Sequence, residues 1–184
     1  RVEVSRGCTR GCRFCQAGML YRPVRERSPE RVLDWAERAL RATGYEDLSL
    51  LSLSTGDYGC ILPLMQRLMG RYASRRVAVS LPSLRAGTLS PELMDLVRQV
   101  RKTGFTIAPE AGSQRLRDVI NKNISETEIV ETVRDAFQMG WQLVKLYFMV
   151  GLPTETVEDL KALVELVQRL HKLKSPTGRR GQLH

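Results

Sequence analysis

The chain has 184 residues, of which 42% are hydrophobic and 27% are charged. This length and composition are typical of one folded domain with its own core, and they exclude disordered and collagen-like classes. The net charge of +9, from 29 Lys and Arg against 20 Asp and Glu, favours anionic partners without selecting nucleic acid, phosphate or carboxylate.

Helix-start signals and apolar runs predict an alternating series of strands and helices. Ser28-Pro29-Glu30 and Ser90-Pro91-Glu92 each combine an N-cap residue with a first-turn proline and an acid, and Ser125 with Glu128 predicts a capping box. In chain order we predict strand 2–5, helix 28–43, strand 48–54, helix 61–72, strand 76–81, helix 90–102, strand 104–108, short helix 113–120, helix 125–140, strand 141–150 and helix 156–173. Residues 175–184 are predicted to be turn-like.

These elements form five βα units, which predicts an α/β fold with a parallel sheet covered by helices. An open doubly wound sheet and a barrel both fit that pattern. Strand 141–150 favours the barrel, because Val144, Leu146 and Phe148 share one face whereas Lys145 and Tyr147 share the other. A sheet covered on both faces is apolar on both, whereas a barrel that holds a ligand has a polar inner face.

Three of the four cysteines lie within eight residues, as the triplet Cys8-x3-Cys12-x2-Cys15 after the first strand. This spacing is unlike a disulfide framework and indicates a metal or redox site in a reducing compartment. Structural zinc and iron–sulfur sites usually take four ligands, so three thiolates leave one iron open to an exogenous ligand. Cys60 is a conceivable fourth ligand, although we favour a small buried hydrophobic side chain there.

The cysteine triplet, with Phe14 before its third cysteine, resembles the signature of the radical S-adenosylmethionine (SAM) superfamily. The resemblance implies a partial (βα) barrel. It also implies that Cys8, Cys12 and Cys15 hold a [4Fe–4S] cluster, which reductively cleaves SAM to a 5′-deoxyadenosyl radical. That radical would act on an unknown substrate, with the cofactors carrying the chemistry and the protein supplying binding and orientation.

Segments that follow the other four predicted strands extend the resemblance. Residues 54–57 resemble the Gly-Gly-Glu segment that holds the SAM amino group, and residues 80–85 resemble the segment that reaches the methionyl carboxylate and the sugar. Residues 109–113 are similar to the stretch whose acid meets the ribose, and residues 148–155 to the one that supports the adenine. All lie at strand C-termini, where parallel α/β barrels place their sites. The implied SAM-binding residues are Phe14, Thr55, Gly56, Asp57, Ser80, Ser83, Arg85, Glu110, Lys145, Met149 and Gly151.

The superfamily's usual core has a sixth βα unit, which we expect to be missing here. Residues 1–174 are then an incomplete barrel and residues 175–184 a tail leading toward the missing sixth strand, so we expect a fragment of a longer enzyme with additional domains. Residues 16–29 and 145–155 look most like the branch often fused to cobalamin-binding domains, which leaves cobalamin open as a further cofactor of the full-length protein.

The expected partners follow from the same resemblance and from the absence of certain segments. An electron donor such as flavodoxin or ferredoxin is implied, together with a small-molecule or RNA substrate. No apolar run approaches the roughly 18 residues that a membrane span needs, and no secretion signal is visible. We therefore expect a cytoplasmic protein with no membrane partner.

Two other functions remain open on the sequence alone. In a non-catalytic metal or redox-sensing module, Cys60 would join the triplet as a ligand of zinc or a closed cluster, and SAM would not bind. In a basic RNA-binding or RNA-modifying domain, similar to the methylthiotransferases, binding would depend strongly on salt. Neither accounts for the site-like segments after all five strands.

Overall fold

The chain alternates short strands with helices in the computed structural model, which describes residues 1–82, 84–101, 105–173 and 181–184. The elements are β1 (Val2–Glu3), β2 (Ser5–Arg6), α1 (Ala17–Leu20), β3 (Arg25–Glu26), α2 (Pro29–Thr43), β4 (Asp47–Leu51), α3 (Ile61–Tyr72), β5 (Ala78–Ser80), α4 (Pro91–Arg98), β6 (Phe105–Glu110), α5 (Gln114–Val119), α6 (Glu126–Gln138), β7 (Leu143–Phe148), α7 (Val157–His171) and β8 (Gln182–Leu183). They divide into two compact units. The described residues of Arg1–Thr9, Leu20–Leu84 and Thr88–Thr103 form the first unit, and those of Arg10–Met19, Arg85–Gly87 and Gly104–His184 form the second.

The helices other than α1, which the sequence did not predict, begin within one residue of their predicted starts. Ser28 and Ser90 each accept a hydrogen bond from the backbone N–H three residues on, and Ser125 and Glu128 form the expected capping box. α2 ends at Gly44, whose φ of 68° lies in the left-handed region that favours glycine. α4 begins as predicted but ends at Arg98, before the predicted end at Lys102, which lies outside the described residues. No helix of the described residues is long and apolar enough to cross a membrane.

The first unit contains a parallel sheet with the strand order β1-β4-β5. Val2 pairs with Leu50, and Leu48 pairs with Val79. These four side chains are nearly or fully buried, and burying one Val or Leu side chain contributes roughly 1.5–3 kcal/mol. The sheet is therefore the first unit's core, and the segments after β4 and β5 leave it at the same edge.

The second unit contains a second parallel sheet with the order β6-β7-β8. Buried and partly exposed residues alternate strictly along β6, as the predicted two-sided strand requires. Glu110, the last residue of β6, pairs with Phe148, the last residue of β7, after an irregularity in the register. The loops after β6 and β7 consequently start side by side.

The end of the chain corrects one prediction. Residues 182–183 form β8, which pairs in parallel with β7, whereas we expected a turn-like tail and no sixth strand. The ladder continues to His184, whose N–H donates to Val144 O at 3.1 Å. Two residues are too few to show an alternating pattern, so only the pairing with β7 reveals this strand.

The sequence also gave no sign of the antiparallel pair β2–β3. Ser5 pairs with Glu26 and Arg6 with Arg25, which closes the ends of the segment that carries the cysteines. We call residues 7–24 the three-cysteine loop. Gly7 has a φ of 97°, and a Cβ there would lie 2.2 Å from the carbonyl oxygen of Tyr21, so only glycine fits at the start of this loop.

A substitution at Gly181 tests how the residue before β8 packs against α6. A Cβ at this position would lie 2.1 Å from the buried ring of Phe137, so Gly181→Ala should reduce the free energy of unfolding by about 1–3 kcal/mol. Gly70→Ala is the matched control. Outside its own helix, no described atom lies within 4 Å of a Cβ there, and the change should add about 0.5–1 kcal/mol. Urea unfolding measures both, and equal effects would contradict the packing of β8.

Candidate functional site

None of the cysteines of the three-cysteine loop forms a disulfide bond. Cys8 and Cys12 are partly exposed and Cys15 is exposed. Cys60 is also free and partly exposed, so the expectation that it is a buried hydrophobic side chain is wrong. Among the described residues, no three His, Cys, Asp or Glu side chains stand close enough together to hold a metal ion. The donor set nevertheless fits an iron–sulfur cluster, since three thiols without disulfides share one short loop.

The part of this loop that follows Thr9 is anchored to the α5–α6 turn (residues 120–125). The side-chain Nδ2 of Asn121 donates to Gly11 O at 2.8 Å. The backbone N–H of Arg13 donates to Ile120 O at 2.9 Å, and its guanidinium donates to Val119 O. Sequence analysis missed this anchor, although two asparagines around a lysine after a helix are a recognisable left-handed turn signal.

Glu110 is held in an unusual backbone conformation at the end of β6. Its φ is 69°, a region that costs a residue other than glycine roughly 1–3 kcal/mol. Lys122 Nζ donates to Glu110 Oε1 at 3.0 Å, and both side chains are less than 15% exposed. Met149 N–H donates to Glu110 O at 2.7 Å. The α5–α6 turn thus holds the carboxylate of Glu110 through Lys122, and the residue after β7 holds its backbone carbonyl.

Lys122 also reaches the three-cysteine loop. Its Nζ lies 5.9 Å from the centroid of the Phe14 ring, within the range of a cation–π contact. Phe14 is 40% exposed, although aromatic side chains tend to be buried. Two of the predicted site residues, Phe14 and Glu110, are therefore brought together by a lysine that the sequence did not single out.

Two arginines stabilise the α5–α6 turn by donating hydrogen bonds to backbone carbonyl oxygens. The Arg85 guanidinium, 9% exposed, donates to the carbonyl oxygens of Lys122 and Asn123. Arg117 is fully buried and donates to Ala111 O at 3.0 Å, Gly112 O at 2.8 Å and Ile124 O at 3.0 Å. Burial lowers the pKa of Arg117, but these acceptors satisfy its charge. The predicted role of Arg85 toward a carboxylate ligand stays a prediction.

Three predicted site residues follow or belong to β7. Lys145 is exposed, as is Tyr147 on the same face of β7, so both side chains on this face are accessible to solvent. Met149 is partly buried against an apolar cluster made by Ala111, Leu116, Ile120 and Leu152. Gly151 has a φ of 83°, and its N–H donates to Glu155 Oε2 at 2.6 Å. This left-handed conformation suits glycine, and the hydrogen bond to Glu155 stabilises the loop that follows β7.

The remaining predicted site residues belong to the first unit. Thr55 is fully buried and its hydroxyl lies 3.0 Å from that of Ser52, so its side chain stabilises the loop after β4. A Cβ on Gly56 would lie 2.2 Å from the hydroxyl of Thr88, which explains the glycine by packing. Asp57 and Ser80 are partly exposed. Ser83 lies outside the described residues.

A buried carboxylate joins the loops after β6 and β7. Asp159 accepts hydrogen bonds from Thr156 N at 2.9 Å, from the Ser113 hydroxyl and from the Arg115 guanidinium. The hydrogen bond from Arg115, followed by that from Ser113, holds the pKa of Asp159 well below its usual range. Asp159 therefore links the starts of α5 and α7, the helices that follow the two loops.

This linkage predicts a pH-dependent stability. Because the pKa of Asp159 is lower in the folded than in the unfolded state, its carboxylate stabilises the fold above a pH of about 4, and this contribution is lost as the pH falls through the folded-state pKa. Asp159→Asn should lower the Tm at neutral pH, and the difference should shrink in acid. Asp34→Asn, on an exposed i,i+4 ion pair, is the control and should change little. Circular dichroism melts between about pH 7 and 2.5 measure both, and a difference independent of pH would contradict the assignment.

Comparison with known proteins places these features in a family. The family model of the radical SAM superfamily matches residues 2–167. An uncharacterized protein of Methanocaldococcus jannaschii is 42% identical over 173 residues, which are 93% of this chain and 37% of that protein. The ribosomal protein uS12 methylthiotransferase of Leptospira biflexa is 29% identical over 179 residues, or 91% of this chain and 38% of the enzyme.

A solved structure shows the same fold. The radical SAM methyltransferase TsrM from Kitasatospora setae, with cobalamin and a [4Fe–4S] cluster bound, superposes with a TM-score of 0.75 at 18% identity. The match covers 92% of this chain and 34% of TsrM. The chain thus spans less than half the length of these three proteins.

Proposed function

We propose that this chain, which belongs to the radical SAM superfamily of enzymes, is a catalytic core. It binds the family's two cofactors, a [4Fe–4S] cluster and SAM. The observation that carries the proposal is the set of three cysteines on one loop, none of them in a disulfide, in a chain that matches the family over residues 2–167. The whole protein's substrate is left unassigned, because the curated relatives extend well beyond the matched part.

In this proposal Cys8, Cys12 and Cys15 supply three thiolate ligands, and SAM takes the open fourth iron. The bound cluster would supply one electron to SAM, breaking the bond between its sulfur and the 5′ carbon to give methionine and a 5′-deoxyadenosyl radical. Three ligands on one loop suit this role, because an iron without a protein thiolate is free to accept a substrate group. The exposed Cys15 and partly exposed Cys8 and Cys12 leave the loop open to such a cluster.

Glu110 is the residue to which we assign the ribose hydroxyls. Lys122 holds its Oε1, and the other carboxylate oxygen is the one that would accept from the ligand. Its fixed backbone supports this assignment, since strained conformations persist where the surroundings enforce them and cluster at ligand sites. Met149 and Gly151, which follow the adjacent strand, would support the adenine.

The other predicted ligand contacts are proposals of the same kind. Gly56 and Asp57 would meet the amino group, and Ser80, Ser83 and Arg85 the methionyl carboxylate and sugar. The buried Thr55 side chain supports a contact through its backbone only. The arrangement of all five βα units in a partial barrel, with Lys145 on its inner face, belongs to the same proposal. Flavodoxin or ferredoxin as the reductant, and cobalamin in a longer chain, follow from it.

The alternative of a metal-sensing module makes a different prediction about Cys60. That module needs Cys60 as a fourth ligand, whereas the catalytic core needs an open iron. Cys60 stands directly before α3 and is partly exposed, which is compatible with either function. Substitution of Cys60 distinguishes the metal-sensing module from the catalytic core.

We expect Cys8→Ala, Cys12→Ala and Cys15→Ala each to abolish most cluster binding, and Cys60→Ala to leave it intact. After anaerobic reconstitution, iron and sulfide are determined per chain, and electron paramagnetic resonance of the reduced protein is recorded with and without SAM. A signal that changes on adding SAM supports the proposal. Loss of a third or more of the iron in Cys60→Ala, or a signal indifferent to SAM, would overturn it.

The assignment of Glu110 predicts a loss of SAM affinity without a loss of cluster. Glu110→Gln should weaken SAM binding roughly tenfold, because a hydrogen bond to a charged acceptor becomes a weaker neutral one. Glu92→Gln is the matched control, since Glu92 is exposed in the first turn of α4. Isothermal titration of the reconstituted proteins measures both, and unchanged affinity in Glu110→Gln would remove this residue from the site.

A further inference from the structure

We propose that Asn121 is a positioning residue for the three-cysteine loop, and that its side-chain amide fixes the part of the loop that carries Cys12. The inference rests on the proposed function, because it assigns a role to Asn121 in presenting a cluster ligand. It concerns contacts within the second unit only.

Two hydrogen bonds to the α5–α6 turn flank Cys12. On one side, Asn121 Nδ2 donates to Gly11 O at 2.8 Å, and on the other side Arg13 N–H donates to Ile120 O at 2.9 Å. Cys12 lies between these two anchored residues, so its backbone is held at both neighbours. Cys15 follows within the same turn, since its N–H donates to Cys12 O at 3.0 Å.

Both partners of the first hydrogen bond have left-handed backbones. Gly11 has a φ of 70° and Asn121 a φ of 55°. Asparagine tolerates this region better than other side chains, and glycine adopts it without steric cost. A Cβ on residue 11 would lie 3.3 Å from Asn121 Nδ2, so a larger residue there would press on the amide. The close approach therefore depends on this pair of residue types.

A second asparagine orients the amide. Asn123 Nδ2 donates to Asn121 Oδ1 at 3.1 Å, so the oxygen of Asn121 faces Asn123 and its NH2 group faces the loop. An amide turned the other way would place two oxygens together at Gly11. Asn123 makes no hydrogen bond to the three-cysteine loop within the described residues, although its φ of 49° is also left-handed.

Lys122, the residue between the two asparagines, connects this turn to the proposed ribose acceptor Glu110. Lys122 donates to the Glu110 carboxylate at 3.0 Å, while its neighbour Asn121 holds the loop. One turn therefore sets the place of a cluster ligand and of the proposed ribose acceptor. A shift of the turn would move both.

Hydrogen exchange of the iron-free protein tests the inference. Asn121→Gly keeps the left-handed backbone and removes the amide, and Asn121→Asp keeps the shape and removes the donor. In both, amides of residues 11–16 should exchange about fivefold faster than in the unsubstituted protein, since one hydrogen bond is lost. Gln138→Ala, which removes an exposed amide from α6, is the control and should stay within about twofold. Far-ultraviolet circular dichroism checks folding, and if Asn121→Gly fails to fold, Asn121→Asp makes the test.

The spectrum of the cluster gives a second readout. At equal iron content, the reduced Asn121 variants should show an altered line shape and a weaker response to SAM than Gln138→Ala. Unchanged exchange in the Asn121 variants, or equal acceleration in Gln138→Ala, would overturn the inference. If the unsubstituted protein takes up no cluster, the proposed function fails, while the exchange result still decides whether Asn121 positions the loop.

Discussion

The guanidinium of Arg117 is the interaction on which the second unit's site depends. It is fully buried, and an unpaired buried charge costs several kcal/mol, so the backbone around it must supply acceptors. Those acceptors are the carbonyl oxygens of Ala111 and Gly112, just after β6, and of Ile124, before α6. Holding these oxygens on one side chain brings the two ends of the α5 segment together. The left-handed Glu110 and the α5–α6 turn are fixed as a consequence.

The contacts to Glu110 and to the three-cysteine loop are both made by residues of this turn. Lys122 and Asn121 are adjacent, and one contacts Glu110 while the other contacts the three-cysteine loop. On the opposite side, Asp159 joins the first residues after Glu110 to the start of α7 through Ser113. In the second unit, polar side chains that are paired with other protein groups thus lie next to Glu110, the proposed ribose contact. This is the support that a precise site requires from residues outside it.

The sequence predicted those features whose cause is local. Ser28, Ser90 and the Ser125–Glu128 pair act within one helical turn, and the alternation along β6 reflects a strand long enough to show its period. The family was predicted from the cysteine triplet together with the segments that follow the other predicted strands, and the family model confirms it. The sequence did not predict β8 or the β2–β3 pair, because two-residue strands are defined by their partners. Arg117 and Lys122 were missed for a related reason, since both act on backbone or side chains that only the fold brings near.

The β2–β3 pair has a consequence for the protein without its metal. The loop of residues 7–24 has ends already joined by backbone hydrogen bonds, so the entropy of closing a loop of that length, about 2.5 kcal/mol, is covered by the fold itself. Small zinc domains, in contrast, rely on their ion to order the chain. Here the ends of the loop are joined by the fold, and its cysteines are partly or fully exposed. Under the proposed function, a cluster lost to oxygen would therefore be rebuilt on this loop without refolding of the chain.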